Sequence, residues 1–198
     1  MKLIEAIRLA CEFLNFDDCI AEIDEYIDQA YSDQFAFSSA VQKKMAKFLT
    51  LGNVVASRIA DEYIPLIKSE TKKTDSDKKV LYTNFLSMPI EIMSAFQKSR
   101  GKVVKPYMSS NACYLNAENE DYVINYRCLP NTMVDFADEI DLPFFLLKKT
   151  FAYALASDMC LTQNNFEESD MWNKRFEQAI KSNLKHFAPR YFKSRRLV

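Results

Sequence analysis

The spacing of apolar side chains changes twice along this 198-residue chain, and this change is the strongest constraint on its fold. Near both ends, apolar residues recur every three to four positions, as in helices that bury one face. Between residues 80 and 130, β-branched and aromatic residues alternate with polar ones, as in DYVINYRCLPN at residues 121–131. The sequence therefore predicts a mainly helical α+β fold, a bundle of about five helices with a small antiparallel β-rich insert between the third and fourth helices.

The N-terminal region, residues 1–66, predicts the first three helices of the bundle. The third is expected to begin at Ser38 or Ser39, which are good N-cap residues, and to end near Tyr63. Gly52 interrupts its apolar pattern, so we expect a kink there.

The middle of the chain starts with a change in composition. Residues 68–79 (KSETKKTDSDKK) have no apolar side chain. Such charged runs are usually solvated surface, so we expect an exposed linker over residues 67–79. The β-rich insert follows at 80–130, with turns at 99–102 and 116–120 suited to hairpins. Its five predicted strands are 80–86, 89–97, 102–108, 111–115 and 121–127.

The C-terminal region, residues 131–187, predicts a helical hairpin that completes the bundle. Asp141 stands where an N-cap belongs, and Asn165 with Glu168 has the spacing of a capping box at the start of the last helix. Acidic residues precede the hairpin, and they suggest either a carboxylate cluster for catalysis or metal binding, or favourable charge at a helix N-terminus. We favour the second interpretation for these residues, which are Asp135, Asp138, Glu139 and Asp141.

Composition argues against most kinds of active site. Only two glycines are present, which leaves no material for a glycine-rich phosphate loop. The single histidine, His186, lies among cations and is expected to be an ordinary residue of a helix end. The sequence predicts no catalytic residue, cofactor or metal, and hence a protein that is not an enzyme. The cysteines are scattered and are expected to be reduced thiols packed as small hydrophobes; they are Cys11, Cys19, Cys113, Cys128 and Cys160.

Targeting and membrane segments are not expected either. Glu5 and Glu12 interrupt the apolar pattern of the N-terminus, which argues against a signal peptide. The most apolar window, which starts at Leu142, contains Lys148 and Lys149. A membrane span needs about 18 or more apolar residues with few charges, so none is predicted.

The C-terminal end carries the sharpest charge feature. Residues 181–198 contain six cationic and no acidic residues; removing these six from the 26 cationic residues leaves 20 against 27 acidic ones, a net charge of −7 for the first 180 residues. A basic arm with aromatic residues can bind nucleic acid, dock on an acidic surface of another copy, or remain a frayed terminus. We favour docking on another copy. The candidate partner-binding residues of the arm, which spans 188–198 and the residue before it, are Phe187, Arg190, Tyr191, Phe192, Lys193, Arg195 and Arg196.

The order of these parts resembles a known family. N-terminal helices, a β-rich insert ending in VINYRCLPN, an acidic DFADEIDLP and a closing helical pair are similar to the head–tail adaptor (connector or neck) proteins of short-tailed bacteriophages. The resemblance covers about residues 80–185, and in the helical pair it includes Trp172, Arg175, Phe176 and Ala179. Ala154 departs from the pattern, because a glycine often stands there.

The resemblance implies a structural protein of the virion neck that is assembled in the host bacterial cytoplasm. Such adaptors form a ring, typically of twelve copies, below the portal protein. The ring extends the DNA channel, through which DNA passes without sequence-specific contacts, and carries the tail and nozzle proteins. A ring subunit needs lateral interfaces rather than chemistry, and the predicted β-rich insert suits contact with a neighbouring subunit.

Two other classes of function stay open. The first is a cellular helical scaffold that binds a peptide in a groove, although we find no internal repeat of about 34 or 40 residues. The second is an enzyme with a carboxylate-based site that uses Glu118, Glu120, Asp121 or Asp138. The segment NAENED faintly resembles a calcium loop but lacks its central glycine and closing glutamate.

Overall fold

A computed structural model describes residues 1–32, 34–143 and 146–187. The chain divides into two compact units. The helical unit takes Met1–Val55, Val134–Glu139 and the described part of Phe144–Val198, and the β unit takes Ala56–Met133 with Ile140–Pro143. The prediction of an α+β fold with five helices and an antiparallel insert between the third and fourth is confirmed.

The helices of the described chain follow the predicted apolar stripes. The first helix buries Leu3, Ile7, Ala10 and Cys11, and such an apolar face is the main source of helix stability in a protein. The helices are α1 (Leu3–Phe13), α2 (Asp17–Asp28), α3 (Ser39–Arg58), α4 (Lys148–Thr162) and α5 (Phe166–Phe187).

Details of two helices differ from the predictions. Helix α3 runs through Gly52 as regular α-helix and ends at Arg58, and the remaining predicted turn, Ile59–Tyr63, is π-helical. Asp141 is not an N-cap, since α4 begins only at Lys148. The carboxylate of Asp141 instead accepts a hydrogen bond from Lys68 Nζ at 2.9 Å. The favourable-charge interpretation of the acids before α4 is therefore wrong as well.

The predicted N-cap of α5 is confirmed, but the reciprocal bond of a capping box is not formed, because the backbone N–H of Asn165 donates to Cys160 O at 3.0 Å. The backbone N–H of Glu168 donates to Asn165 Oδ1 at 3.5 Å, and Asn165 Nδ2 donates to Glu168 Oε2 at 2.6 Å. Behind this cap, α5 buries Trp172, Phe176 and Ile180, as its apolar stripe predicts.

The β unit consists of two antiparallel sheets that share one hydrophobic core. The four-stranded sheet has the order β1-β7-β3-β4 and the three-stranded sheet the order β2-β6-β5. Alternate residues of β7, namely Tyr122, Ile124 and Tyr126, are fully buried in that core. The strands are β1 (Leu66–Lys73), β2 (Lys79–Leu81), β3 (Pro89–Gln97), β4 (Lys102–Val104), β5 (Tyr107–Met108), β6 (Ala112–Tyr114) and β7 (Asp121–Cys128).

The prediction of an exposed linker over 67–79 is wrong for residues 67–73, which belong to β1. This strand pairs with β7 along its whole length, from Leu66 opposite Cys128 to Lys73 opposite Asp121. A polar strand forms here because β7 supplies the apolar surface and because the inward polar groups of β1 find partners. The β-rich insert therefore begins at 66, not at 80.

The turns of the insert are partly as predicted. Residues 99–102 connect β3 to β4 as a hairpin, with Gln97 opposite Lys102 and Gly101 at a φ of +59°. A hairpin at 116–120 is wrong, because β6 pairs with β2 and β5 whereas β7 pairs with β1 and β3. This turn connects the two sheets instead. Of the predicted strand 80–86, only the first two residues belong to a strand, and Tyr82–Asn84 form a 3₁₀ turn.

Candidate functional site

The predicted arm can be placed only at its first residue. Phe187 is the last residue of α5. The other predicted partner-binding residues, Arg190, Tyr191, Phe192, Lys193, Arg195 and Arg196, lie outside the described residues. Their role stays a prediction.

The carboxylate of Asp138, one of the candidate enzyme residues, stabilises a turn. Asp138 accepts hydrogen bonds from the backbone N–H groups of Val134 and Asp135, at 2.7 and 2.9 Å. In the loop that follows β6, the backbone N–H of Glu120 donates to Thr74 Oγ1 at 3.0 Å. Glu118 and Asp121 are exposed. Across the described ranges, no three acidic, cysteine or histidine side chains are grouped so that they could hold a metal ion.

All five cysteines are buried free thiols, as their interpretation as small hydrophobes predicts. Burial raises the pKa of each of these thiols. For Cys160, burial and the nearby Glu168 carboxylate raise the pKa to about 11. These thiols are therefore held in their unreactive, protonated form in the folded chain.

An exposed apolar surface on the β unit is the strongest candidate for a functional site. We call it the apolar patch and define it by Leu86, Met88, Ile90 and Leu129. Leu86 is 86% exposed and Met88 73% exposed. The segments 86–90 and 129–132 line a groove of about 420 Å³. Single exposed apolar residues are common, but a contiguous group around a groove is typical of a binding surface.

Hydrogen bonds beneath the patch fix its backbone. Ser87 Oγ and Asn131 Oδ1 lie 3.3 Å apart and join the two segments of the groove. Lys68 of β1 donates to Ser87 Oγ at 3.0 Å and to Asp141 Oδ2 at 2.9 Å. The apolar side chains of the patch are therefore presented from a pinned backbone rather than from a loose loop.

Glu70 of β1 forms the second part of this support. Its carboxylate accepts hydrogen bonds from the Tyr126 hydroxyl and from the backbone N–H of Leu86, the latter at 3.2 Å. It also forms an ion pair with Lys72 at 2.6 Å. Burial of Glu70 raises its pKa, but the hydrogen bonds from Lys72 and Tyr126 outweigh that effect and lower the pKa overall. The same burial and the Glu70 carboxylate raise the pKa of Tyr126.

The lowered pKa of Glu70 predicts a pH-dependent stability of the β unit. A group whose pKa is lower in the folded chain stabilises it fully above its ordinary pKa, here 4.5, and loses that effect as the pH falls through the folded-state value. We expect Glu70→Gln to lower the free energy of unfolding at neutral pH, with a difference from the unchanged chain that shrinks below pH 4.5. Urea unfolding across this pH range measures it. Glu118→Gln, at an exposed carboxyl, is the control; an equal pH-dependent loss in both variants would contradict the role of Glu70.

Neither the apolar patch nor the Glu70 cluster is predicted by the sequence patterns. A signal for the patch exists, since Leu86, Met88 and Ile90 alternate ahead of and into β3. However, buried Phe85 and exposed Leu86 are both apolar, so alternation cannot tell which face is covered. The Glu70 cluster joins strands that are far apart in the sequence, and no local pattern marks it.

No helix in the described parts of the chain is long and apolar enough to cross a membrane. Comparison with models of known protein families gives no match, and comparison with curated proteins gives no matching relative.

Proposed function

We propose that this chain is a structural subunit of a phage head–tail adaptor, which forms a ring below the portal protein and extends the DNA channel. The β unit contacts neighbouring copies in that ring. Portal, tail proteins and passing DNA are its other partners, and the virion neck is its location. The observation that carries the proposal is the apolar patch, with Leu86 the most exposed of its residues at 86%.

A second exposed apolar surface on the β unit favours a second copy as the occupant of the patch. Phe96 and Val103 lie directly opposite each other on β3 and β4, and both are exposed. The strand β3 connects this pair to Ile90 of the patch, over six residue steps or about 20 Å. A ring subunit uses two different surfaces, one for each neighbour, and the β unit has two such surfaces.

The open edge of β1 places unpaired backbone groups next to the apolar patch. β1 ends the four-stranded sheet, and no strand pairs with its outer edge within the described residues. Glu70 of β1 contacts the backbone of Leu86, so the edge and the patch adjoin. An unpaired edge beside apolar side chains suits addition of a neighbour's strand.

Met88→Lys tests the proposal, because it places a charge in the expected interface at a residue that is 73% exposed. We expect about a tenfold or greater loss of incorporation into rings on the portal protein that the proposal requires in the same genome. Sedimentation or light scattering of the assembled complex measures that loss. Met171→Lys, at an exposed methionine of α5, is the matched control and should assemble normally.

Two results would contradict the adaptor function. One is a chain that stays monomeric with the portal protein and has measurable enzymatic turnover or metal affinity. The other is equal assembly of the Met88→Lys and unchanged chains. A genome in which portal and capsid genes do not accompany this gene would also count against it.

A further inference from the structure

An aromatic cleft in the helical unit is separate from the apolar patch of the β unit. Its volume is about 560 Å³, within the range of pockets that hold small ligands and therefore large enough for an aromatic side chain. The cleft is lined by the end of α2, the segment before α3, α3 itself and residues 135–136. Its lining includes Tyr26, Phe35, Phe37, Ala46 and Asp135.

The rings of the cleft form one connected cluster. Tyr26 lies 5.5 Å from Phe35 and 5.6 Å from Phe37, measured between ring centroids, and Phe37 lies 5.7 Å from Phe136. Phe35 and Phe37 are only partly buried, so their rings remain available to a ligand. Clustered aromatic faces bind other aromatic rings and the guanidinium groups of arginine.

One side of the cleft is acidic, whereas α3 on the other side carries lysines and no acidic residue. Helix α2, which contributes Tyr26, contains six acidic residues and no lysine or arginine. Arg8 pairs with Asp24 and Lys44 pairs with Asp18, but Glu25, Asp28 and Asp135 have no cationic partner within the described chain. Asp135 lines the cleft itself and is exposed, with Tyr26 Oη 3.4 Å from its carboxylate. Among the described residues that line the cleft, Asp135 is the one with a charge, so the lining itself favours a ligand that is both aromatic and cationic.

The C-terminal segment 188–198 has this chemistry. It contains four cationic residues, no acidic residue and the adjacent aromatic pair Tyr191 and Phe192. We infer that the aromatic cleft of one copy binds residues 188–198 of a second copy. This inference rests on the proposed function in one respect, since the ring would bring a second copy within reach in the virion; a high protein concentration does the same in solution.

Photo-crosslinking of the full-length chain tests the inference. The variant Tyr191→p-benzoylphenylalanine is prepared in light and ¹⁵N-labelled forms, which are mixed at high concentration without portal protein and irradiated. We expect cross-linked peptides that join a light segment 188–198 to heavy residues of the cleft, and the reverse. Mass spectrometry identifies both the joined peptides and the copy from which each came.

A matched pair of variants links the cross-link to the cleft. Ala46→Arg fills the cleft with a cation at an exposed helix position, and should lower the yield of mixed cross-links by about tenfold through like-charge repulsion. Ala40→Arg adds the same side chain to the exposed start of the same helix, outside the residues that line the cleft, and should leave the yield within about twofold.

Each other outcome overturns the inference. Cross-links within single copies would make the segment an intramolecular ligand, and cross-links to other surfaces, or none, would leave the cleft without this occupant. An equal yield from the two arginine variants would do the same. The proposed function is judged separately by the assembly of Met88→Lys on the portal protein, so rings that form without mixed cross-links would overturn the cleft assignment alone.

Discussion

Replacing Phe151 by alanine is expected to lower the free energy of unfolding of the helical unit by about 3–5 kcal/mol. Phe151 lies in α4, which packs against α1 and α5, and its side chain is fully buried. The substitution removes the buried ring and leaves a cavity that the surrounding helices fill only in part. Because total stabilities are usually about 5–15 kcal/mol, this one change is expected to remove a large share of the stability.

Trp172 provides the measurement for Phe151→Ala. It is the only tryptophan of the chain, and it stacks on Phe13 with ring centroids 5.0 Å apart. Its fluorescence in a denaturant titration therefore follows the helical unit. Phe166→Ala is the matched control, since Phe166 is 64% exposed, and it should change the free energy of unfolding by about 0.5 kcal/mol or less. Equal midpoints for the two variants would disprove the place of Phe151 in the core.

Tyr126→Ala is expected to have an effect of similar size on the β unit, about 3–5 kcal/mol. The Tyr126 ring is fully buried and packs edge-to-face on Phe85, with centroids 4.9 Å apart. Alanine removes the ring and also leaves the buried Glu70 carboxylate without one of its donors. Both losses act on the same strand pair, so β1 and β7 should open together.

Hydrogen exchange of peptides from β3 and β7 measures this loss, because their amides exchange when the sheet opens. Tyr126→Phe removes the hydroxyl but keeps the ring. It is expected to cost about 1–3 kcal/mol, since the charged Glu70 carboxylate loses one of its donors and keeps Lys72 and the Leu86 N–H. Tyr107→Ala removes a tyrosine that is 71% exposed on the same unit and should leave exchange in β3 and β7 unchanged. Faster exchange in Tyr107→Ala than in Tyr126→Ala would reject the predicted core.

Local patterns predicted those elements whose buried face is apolar. The alternation in β7 and the stripe of α5 are examples, because burial selects apolar residues at every second position of a strand and at every third or fourth position of a helix. β1 was not predicted, because its inward-facing side chains are mostly charged rather than apolar. Its inward residues Lys68, Glu70 and Lys72 are charged. Lys72 pairs with Glu70 of the same strand, and the other partners of these residues lie on segments that follow later in the chain.

The candidate site was less accessible to sequence reasoning than the fold. β6 and β7 are consecutive in the sequence, which suggested that they pair with each other. In the structure, β6 pairs with β2 and β5 instead. The apolar patch was not predicted because exposed Leu86 and its buried neighbour Phe85 are both apolar. Only the three-dimensional structure shows which of the two is exposed. The aromatic cleft draws on segments about a hundred residues apart, such as Tyr26 and Phe136.

The five buried cysteines allow the opening of each unit to be measured separately. Cys11, Cys19 and Cys160 lie in the helical unit, and Cys113 and Cys128 lie in the β unit. A buried, protonated thiol reacts with an alkylating reagent only after the structure around it opens. The number and position of alkylated thiols in whole-chain mass spectra thus distinguish copies in which one unit has opened from copies in which both have. The natural sequence can therefore be followed by thiol labelling without any engineered probe.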